Sequence, residues 1–221
     1  MTPGRRTRRR RVAVLVAVLP PVLALLGCAR AVDGVAMPGP RADLPESPRE
    51  LERLIVPEVP SGLPRLPDGE LAPPAGEKRI EDIAAYSTDP AREMDVLQDY
   101  GYRFGWERFW GEGTGPVTGV FVDQFEGRAG AGAYADDLAR NDAEHYDGLL
   151  REDPPALPGG CRALTVDNPA PELGLDGPTA FAWCRHGVFS VSVTAVSDSI
   201  DAAEEEVRLA LDEQLGRLPP G

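Results

Sequence analysis

The segments Tyr102–Trp110, YRFGWERFW, and Val117–Phe125, VTGVFVDQF, separated by GEGTGP at Gly111–Pro116, decide the fold class. In the first, Tyr102, Phe104 and Trp106 alternate with Arg103, Gly105 and Glu107, which is the period of a strand with two unlike faces. The glycines and the proline between the segments supply a turn, so the pair reads as a β-hairpin. A second hairpin is expected from Thr179–Cys184 and Val188–Val196 around Arg185-His186-Gly187. A three-residue loop with a left-handed Gly187 sets Trp183 opposite Phe189 and Phe181 opposite Val191, all inward, and turns Cys184 to the other face. Cys161–Val166 adds one more short strand.

Helical patterns punctuate these strands. Asp89-Pro90 is a cap followed by a first-turn proline, and Ala91–Asp99 runs on to Gly101. Residues 129–150 carry Ala131, Tyr134, Ala135, Leu138, Tyr146 and Leu149 on one side and Asp136, Asp137, Arg140 and Glu144 on the other. A last helix starts at Asp198 or Ser199, with Ile200, Ala203, Val207, Ala210, Leu211 and Leu215 as its stripe, and Gly216 and Pro219-Pro220 stop it. The order helix, two strands, helix, three strands, helix predicts an α+β domain over 77–218. Its antiparallel sheet has about five strands, with the helices packed on one face.

Residues 28–76 are proline-rich, which excludes a packed sheet or a long helix there and predicts a tether and an irregular arm. Ser47-Pro48 followed by Leu51, Leu54 and Ile55 predicts one short helix within it. Further upstream, six arginines between Arg5 and Arg11 precede the uncharged run Val12–Leu26. A basic start, an apolar stretch of roughly 15 residues and a small residue before a cysteine make 1–27 a secretory signal peptide. As a spanning helix the run falls short of the ~20 residues a bilayer needs, and Pro20-Pro21 interrupts it. The sequence after the arginines fits the twin-arginine export pattern poorly, which favours the general secretory route.

Cleavage of 1–27 takes the formal charge from −13 to about −19, because that segment holds no Asp or Glu. Such a surface repels phosphate backbones, so nucleic acid is not an expected partner. It also repels anionic headgroups, so membrane attachment falls to a lipid, at ~0.8 kcal/mol per buried methylene. Lys78 is the single lysine among abundant Arg, Ala, Gly and Pro, a bias that points to a GC-rich genome. With Cys28 committed to the lipid, Cys161 and Cys184 form in the simplest reading a disulfide, the alternative being two free buried thiols. No CxxC or HxxxH accompanies them, so no metal and no cofactor is expected.

Two sets of residues resemble known proteins. Leu25-Leu26-Gly27-Cys28 resembles the lipobox of bacterial lipoproteins, departing from it in having Leu26 where a small residue is preferred. The resemblance implies a diacylglyceryl- and palmitate-carrying Cys28 as the mature N-terminus. Val32-Asp33-Gly34-Val35-Ala36, Pro60-Ser61-Gly62-Leu63-Pro64, Tyr100-Gly101-Tyr102-Arg103, Trp110, Gln124-Phe125 and Ala129-Gly130-Ala131 resemble, in that order, segments of small cell-envelope lipoproteins of mycobacteria and related actinobacteria. That resemblance implies an extracytoplasmic, membrane-anchored protein, some of whose relatives look like sensor or ligand-binding domains. It transfers no functional residue.

Catalytic patterns are not found. His145 sits on the long helix among Asp142, Glu144 and Asp147, and His186 at a hairpin tip, neither in a recognisable triad context, and no GxSxG occurs. The Gly111–Gly115 cluster precedes a strand rather than opening a helix, so it is a turn and not a phosphate cradle. Asp136-Asp137 and Glu204-Glu205-Glu206 lack the alternation of a calcium loop. The uncommon feature is aromatic: Tyr100, Tyr102, Phe104, Trp106, Phe109 and Trp110 crowd one segment of a chain with three Trp, five Tyr and six Phe. Most of these rings supply core. Phe109 and Trp110 point oppositely, however, so some ring faces elsewhere. Tyr102, Arg103, Trp106, Arg108 and Trp110 are the residues expected to line a groove for an apolar or carbohydrate-like ligand or an envelope protein. The expected function is therefore a non-catalytic ligand-binding or protein-interaction module on the outer face of the cell membrane. A secreted hydrolase with a dispersed site and a structural envelope lipoprotein are the alternatives.

Overall fold

The computed structural model describes residues 44–113 and 115–220. The signal peptide at 1–27, the lipidated Cys28 and the tether up to residue 43, including Val32–Ala36, lie outside the described residues. Five helices and seven strands follow in the order α1 Pro48–Glu52, β1 Gly76–Lys78, α2 Ile80–Ala84, α3 Pro90–Asp99, β2 Tyr102–Gly111, β3 Val117–Phe125, α4 Arg128–His145, β4 Arg151–Glu152, β5 Cys161–Val166, β6 Thr179–His186, β7 Phe189–Val196 and α5 Ile200–Arg217. Among the described residues no helix is long and apolar enough to cross a membrane.

All seven strands join one antiparallel sheet in the order β1-β2-β3-β7-β6-β5-β4. Seven replaces the expected five because β1 and β4 are edge strands of three and two residues, too short for an alternating pattern to register. The sheet is covered on both faces, which corrects the expectation of helices on one face only. α5 and α1 pack on the side carrying Trp106, Val120, Val122, Ala182, Cys184, Val191 and Val193. α2, α3 and α4 pack on the other, against Tyr102 and Phe125 and against Leu164, Phe181 and Trp183. The cause is visible in β6, where alternate residues Phe181 and Trp183 are buried on one face while Ala180, Ala182 and Cys184 are buried on the other. Such a strand needs a layer on each side.

Local chemistry sets the helix ends. Asp89 caps α3 by accepting from the Arg92 N–H, and Ser199 caps α5 by accepting from the Ala202 N–H. α4 stops at His145, short of the expected residue 150. Asp147 takes a left-handed φ of 49° and the Gly148 N–H donates to Ala143 C=O. That is a Schellman termination with aspartate in the place glycine usually fills, and it leaves Leu149 exposed instead of on the helix stripe. The second hairpin also differs from expectation. His186 pairs with Phe189, so the turn has two residues with Gly187 first, at φ 59°, the type II′ arrangement. Trp183 therefore pairs with Ser192, and Trp183 and Phe189 lie on opposite faces.

The proline-rich arm is tied to the core. Leu51, Ile55 and Val56 are fully buried against β2 and α5. Gln214 of α5, itself buried, accepts from the Val56 N–H and donates to the Leu54 C=O, 3.0 Å each. These two bonds satisfy backbone groups that no secondary structure pairs. The disulfide joins Cys161 and Cys184, which are directly paired across β5 and β6. With a sequence separation of 23, replacing both cysteines by alanine is expected to cost about 3 kcal/mol on the chain-entropy account. Urea unfolding of the double variant against the oxidised protein reads that difference directly.

Candidate ligand-binding cleft

The site lies on the sheet face turned away from α5. β2 contributes Glu107 and Phe109 there, β3 contributes Phe121 and Asp123, and β7 contributes Ser192 and Thr194. Strand geometry puts every second residue on this side. α4 roofs the part beneath Trp183 with Tyr134, Leu138 and Asp142, while Ile83 of α2 and the following Tyr86 close the near side. Between them is a cavity of about 170 Å³. A second, of about 340 Å³, continues past Phe109 to Leu71–Pro73 and shares Tyr86, Glu107 and Phe121 with the first. One cleft thus runs along the sheet. Its aromatic shelf is the half-buried pair Phe109 and Phe121, edge to face at 5.3 Å. Gly119 makes the shelf possible, since a Cβ there would come within 2.8 Å of the Phe109 ring.

The deepest group in the cleft is the carboxyl of Asp123, 5% exposed. It accepts a hydrogen bond from Tyr102 Oη at 3.1 Å. Two features of β2 create this pair. A register shift between Tyr102 and Phe104 bulges the strand and moves Tyr102 to the face opposite Phe104. Gly105, paired with Asp123 across the ladder, leaves the space: a Cβ there would fall inside 3.0 Å of both Asp123 Oδ1 and Tyr102 Oη. Burial, helped by the charge of Glu107, pushes the Asp123 carboxyl up to about 7, against the opposing effects of the Tyr102 hydrogen bond and Lys78.

Glu107 is held differently. Lys78 Nζ lies 3.0 Å from its carboxylate, and Tyr86 Oη donates to it at 3.2 Å. The Lys78 ammonium also sits 5.5 Å from the centre of the Tyr86 ring, a cation–π distance. Burial still raises Glu107 above the usual carboxylate range. Asp142, at the α4 side, is pushed up to about 6 by burial, with His145 opposing. Ser192 Oγ is buried and finds no hydrogen-bond partner, as is Ser190 Oγ on the same strand. Three carboxyls, the Ser192 hydroxyl and four aromatic rings therefore line one cavity. This is a surface of hydrogen-bond acceptors walled by apolar faces.

The groove expected at Tyr102, Arg103, Trp106, Arg108 and Trp110 is not where the cleft opens. Trp106 and Trp110 are buried on the other side of the sheet, Trp110 beneath the arm with its indole N–H donating to Pro57 C=O. Arg108 is 5% exposed and donates to the Ile55 and Val56 carbonyls at 3.4 and 3.0 Å, so its work is to hold the arm. Arg103 is exposed at the bulge and lies over the Phe104 ring. Of the five, Tyr102 alone touches the cleft, through Asp123. Phe109, opposite in direction to Trp110, is the ring that faces away from the core. His186 bonds to Pro219 C=O at 2.9 Å and His145 packs on Tyr146. Glu107, Asp123, Ser192 and Asp142 escape a motif search because four separate elements carry them. For the three on strands, Glu107, Asp123 and Ser192, the sequence signal is a polar residue on a face of a strand that is otherwise apolar.

No family profile and no curated protein matches this chain. Among solved structures it is similar to the extracellular domain of PknH from Mycobacterium tuberculosis, at 13% identity over 66% of this chain and 79% of that one, with a TM-score of 0.41. A likeness of that size carries no argument for function, which rests on the chain's own residues.

Proposed function

We propose that this chain is a non-catalytic, extracytoplasmic binding module, anchored through a lipid on Cys28, whose cleft between the sheet and α2 and α4 takes a small ligand. The observation that carries the reading is the Asp123 carboxyl, buried at the floor of a cavity with a single hydrogen bond and no cationic partner in contact. Burying an ionisable group without an ion pair costs stability. Such groups gather where function requires them. The location rests on the export signal, the lipobox and a disulfide suited to an oxidising compartment.

One mass-spectrometric experiment on the full chain, extracted from bacterial membranes in mild detergent, tests both halves. Under denaturing conditions the chain is expected to begin at Cys28 and to carry a diacylglyceryl thioether, and an intact start at Met1 contradicts the anchoring. Under native conditions an additional non-covalent mass is expected, lost in Thr194→Trp, where the indole fills the cavity. Equal occupancy in both proteins contradicts the cleft.

A further inference from the structure

We infer that the ligand taken by this cleft is an organic cation, an amine carrying N–H donors on an apolar or aromatic body. The inference rests on the cleft reading above and names the chemistry the cleft selects.

Hydrogen-bonding capacity comes first. Of the polar groups lining the inner cavity, Glu107, Asp123 and Asp142 offer carboxyl oxygens, and Ser192, 7% exposed, offers a buried hydroxyl with no partner. That hydroxyl, able to donate or to accept, has no partner in the fold, and it points to a polar group brought from outside. Among the described residues no cationic side chain lines this cavity, and the one beside it, Lys78, is paired with Glu107. Asp123 has the Tyr102 hydroxyl alone, and among the described residues no hydrogen bond or ion pair engages the Asp142 carboxyl. The wall is therefore rich in carboxyl oxygens and short of positive charge.

The apolar walls decide between a metal ion and an organic cation. Among the described residues no three His, Cys, Asp or Glu side chains converge as a metal site requires. The carboxyls are spread over a cavity of about 170 Å³ faced by Trp183, Tyr134 and Phe121, a shape for a molecule with a body rather than for a bare ion. The protein also displays the recognition it would use. The Lys78 ammonium lies between the Glu107 carboxylate and the Tyr86 ring, the combination of ion pair and cation–π contact by which amines are held in water-poor sites.

The test compares phenethylamine, cationic at pH 7.5, with 2-phenylethanol, its neutral counterpart, by isothermal titration of the full chain in detergent. The amine is expected to bind at least roughly tenfold more tightly, the effect of one charge-assisted hydrogen bond. Asp123→Asn, which keeps the shape and removes the charge, is expected to erase that preference. Asp142→Asn, at a half-buried helix position that tolerates an amide, is expected to reduce it and serves if the first variant fails to fold. A preference unchanged in both variants overturns the inference. Equal binding of amine and alcohol to the wild-type protein overturns the ammonium assignment while leaving the cleft as a binding site. Binding of neither overturns the cleft reading as well.

Discussion

Gly130→Ala is expected to destabilise the protein by about 2–4 kcal/mol, although alanine is the better helix former. Gly130 lies in the first turn of α4, where the helix crosses the end of α3. A Cβ at this position falls well inside 3.0 Å of the Tyr100 carbonyl oxygen and carbon. Those are backbone atoms of a tight junction: the Tyr100 N–H donates to Val96 C=O, Gly101 turns at φ 72°, and the Glu126 N–H donates to Gly101 C=O at 2.8 Å. The carbonyl cannot yield without breaking that set, so α4 must move and the roof of the cleft with it. Gly132, two residues on in the same helix, is the control. Its Cβ would meet only the flexible side chain of Arg185, Cδ at 3.2 Å and a guanidinium nitrogen at 3.6 Å, so Gly132→Ala should stabilise by up to about 1 kcal/mol. For a domain of this size the two variants should melt on opposite sides of the wild type, the first lower by roughly 4–16 °C. Equal melting temperatures for Gly130→Ala and wild type would show that α4 is not seated on Tyr100.

Asp123→Asn is expected to stabilise the protein at pH 8 by a few kcal/mol and to leave it unchanged at pH 4. The sign follows from the titration. In the folded protein the carboxyl holds its proton up to about pH 7, whereas the unfolded chain releases it near the ordinary 3.8. Between those values the folded state binds more protons than the unfolded one, so stability falls as pH rises through the window. Below it both states are protonated and the group contributes nothing. Asparagine removes the titration and still accepts from Tyr102 Oη. Lys78, Glu107, Asp142 and Tyr134 face the same region from β1, β2 and α4. They remain in both proteins, so the difference reports Asp123 together with its coupling to Glu107 and Lys78. Urea denaturation of the two proteins across pH 4–8 should give curves that meet at the acid end and diverge towards the alkaline end. Parallel curves would place the Asp123 carboxyl in contact with water.

Much of the scaffold is legible in the chain. The β2–β3 hairpin, the capped α3 and α5 and the disulfide partners follow from alternation, cap residues and cysteine arithmetic, which are local signals. What escapes is set by contacts between distant segments. The bulge at Arg103 flips Tyr102 to the other face, and no residue in 102–104 announces it. The two-residue turn at Gly187-Val188, in place of a three-residue one at Arg185-His186-Gly187, shifts the register of β6 against β7 by three and so, the shift being odd, moves Phe189 across the sheet. Helices on both faces result from the arm and α5 returning to the sheet side that Ala180, Ala182 and Cys184 line. The small size of those residues makes them look like weak core. The cleft itself is hardest to read, because Glu107 in an alternating strand looks solvent-facing until Lys78 and Tyr86 are seen to cover it.

The three tryptophans provide the most direct test that the cleft is the binding site. Trp183 lines the cavity, while Trp106 and Trp110 lie across the sheet beneath α1 and the arm. Their indole N–H resonances can be followed in one nitrogen–proton correlation spectrum while the low-molecular-weight fraction of bacterial envelope is added. Movement of the Trp183 signal, with Trp106 and Trp110 held in place, is the predicted result. A fixed Trp183 signal accompanied by shifts at Trp106 or Trp110 would move binding to the opposite face and contradict the account.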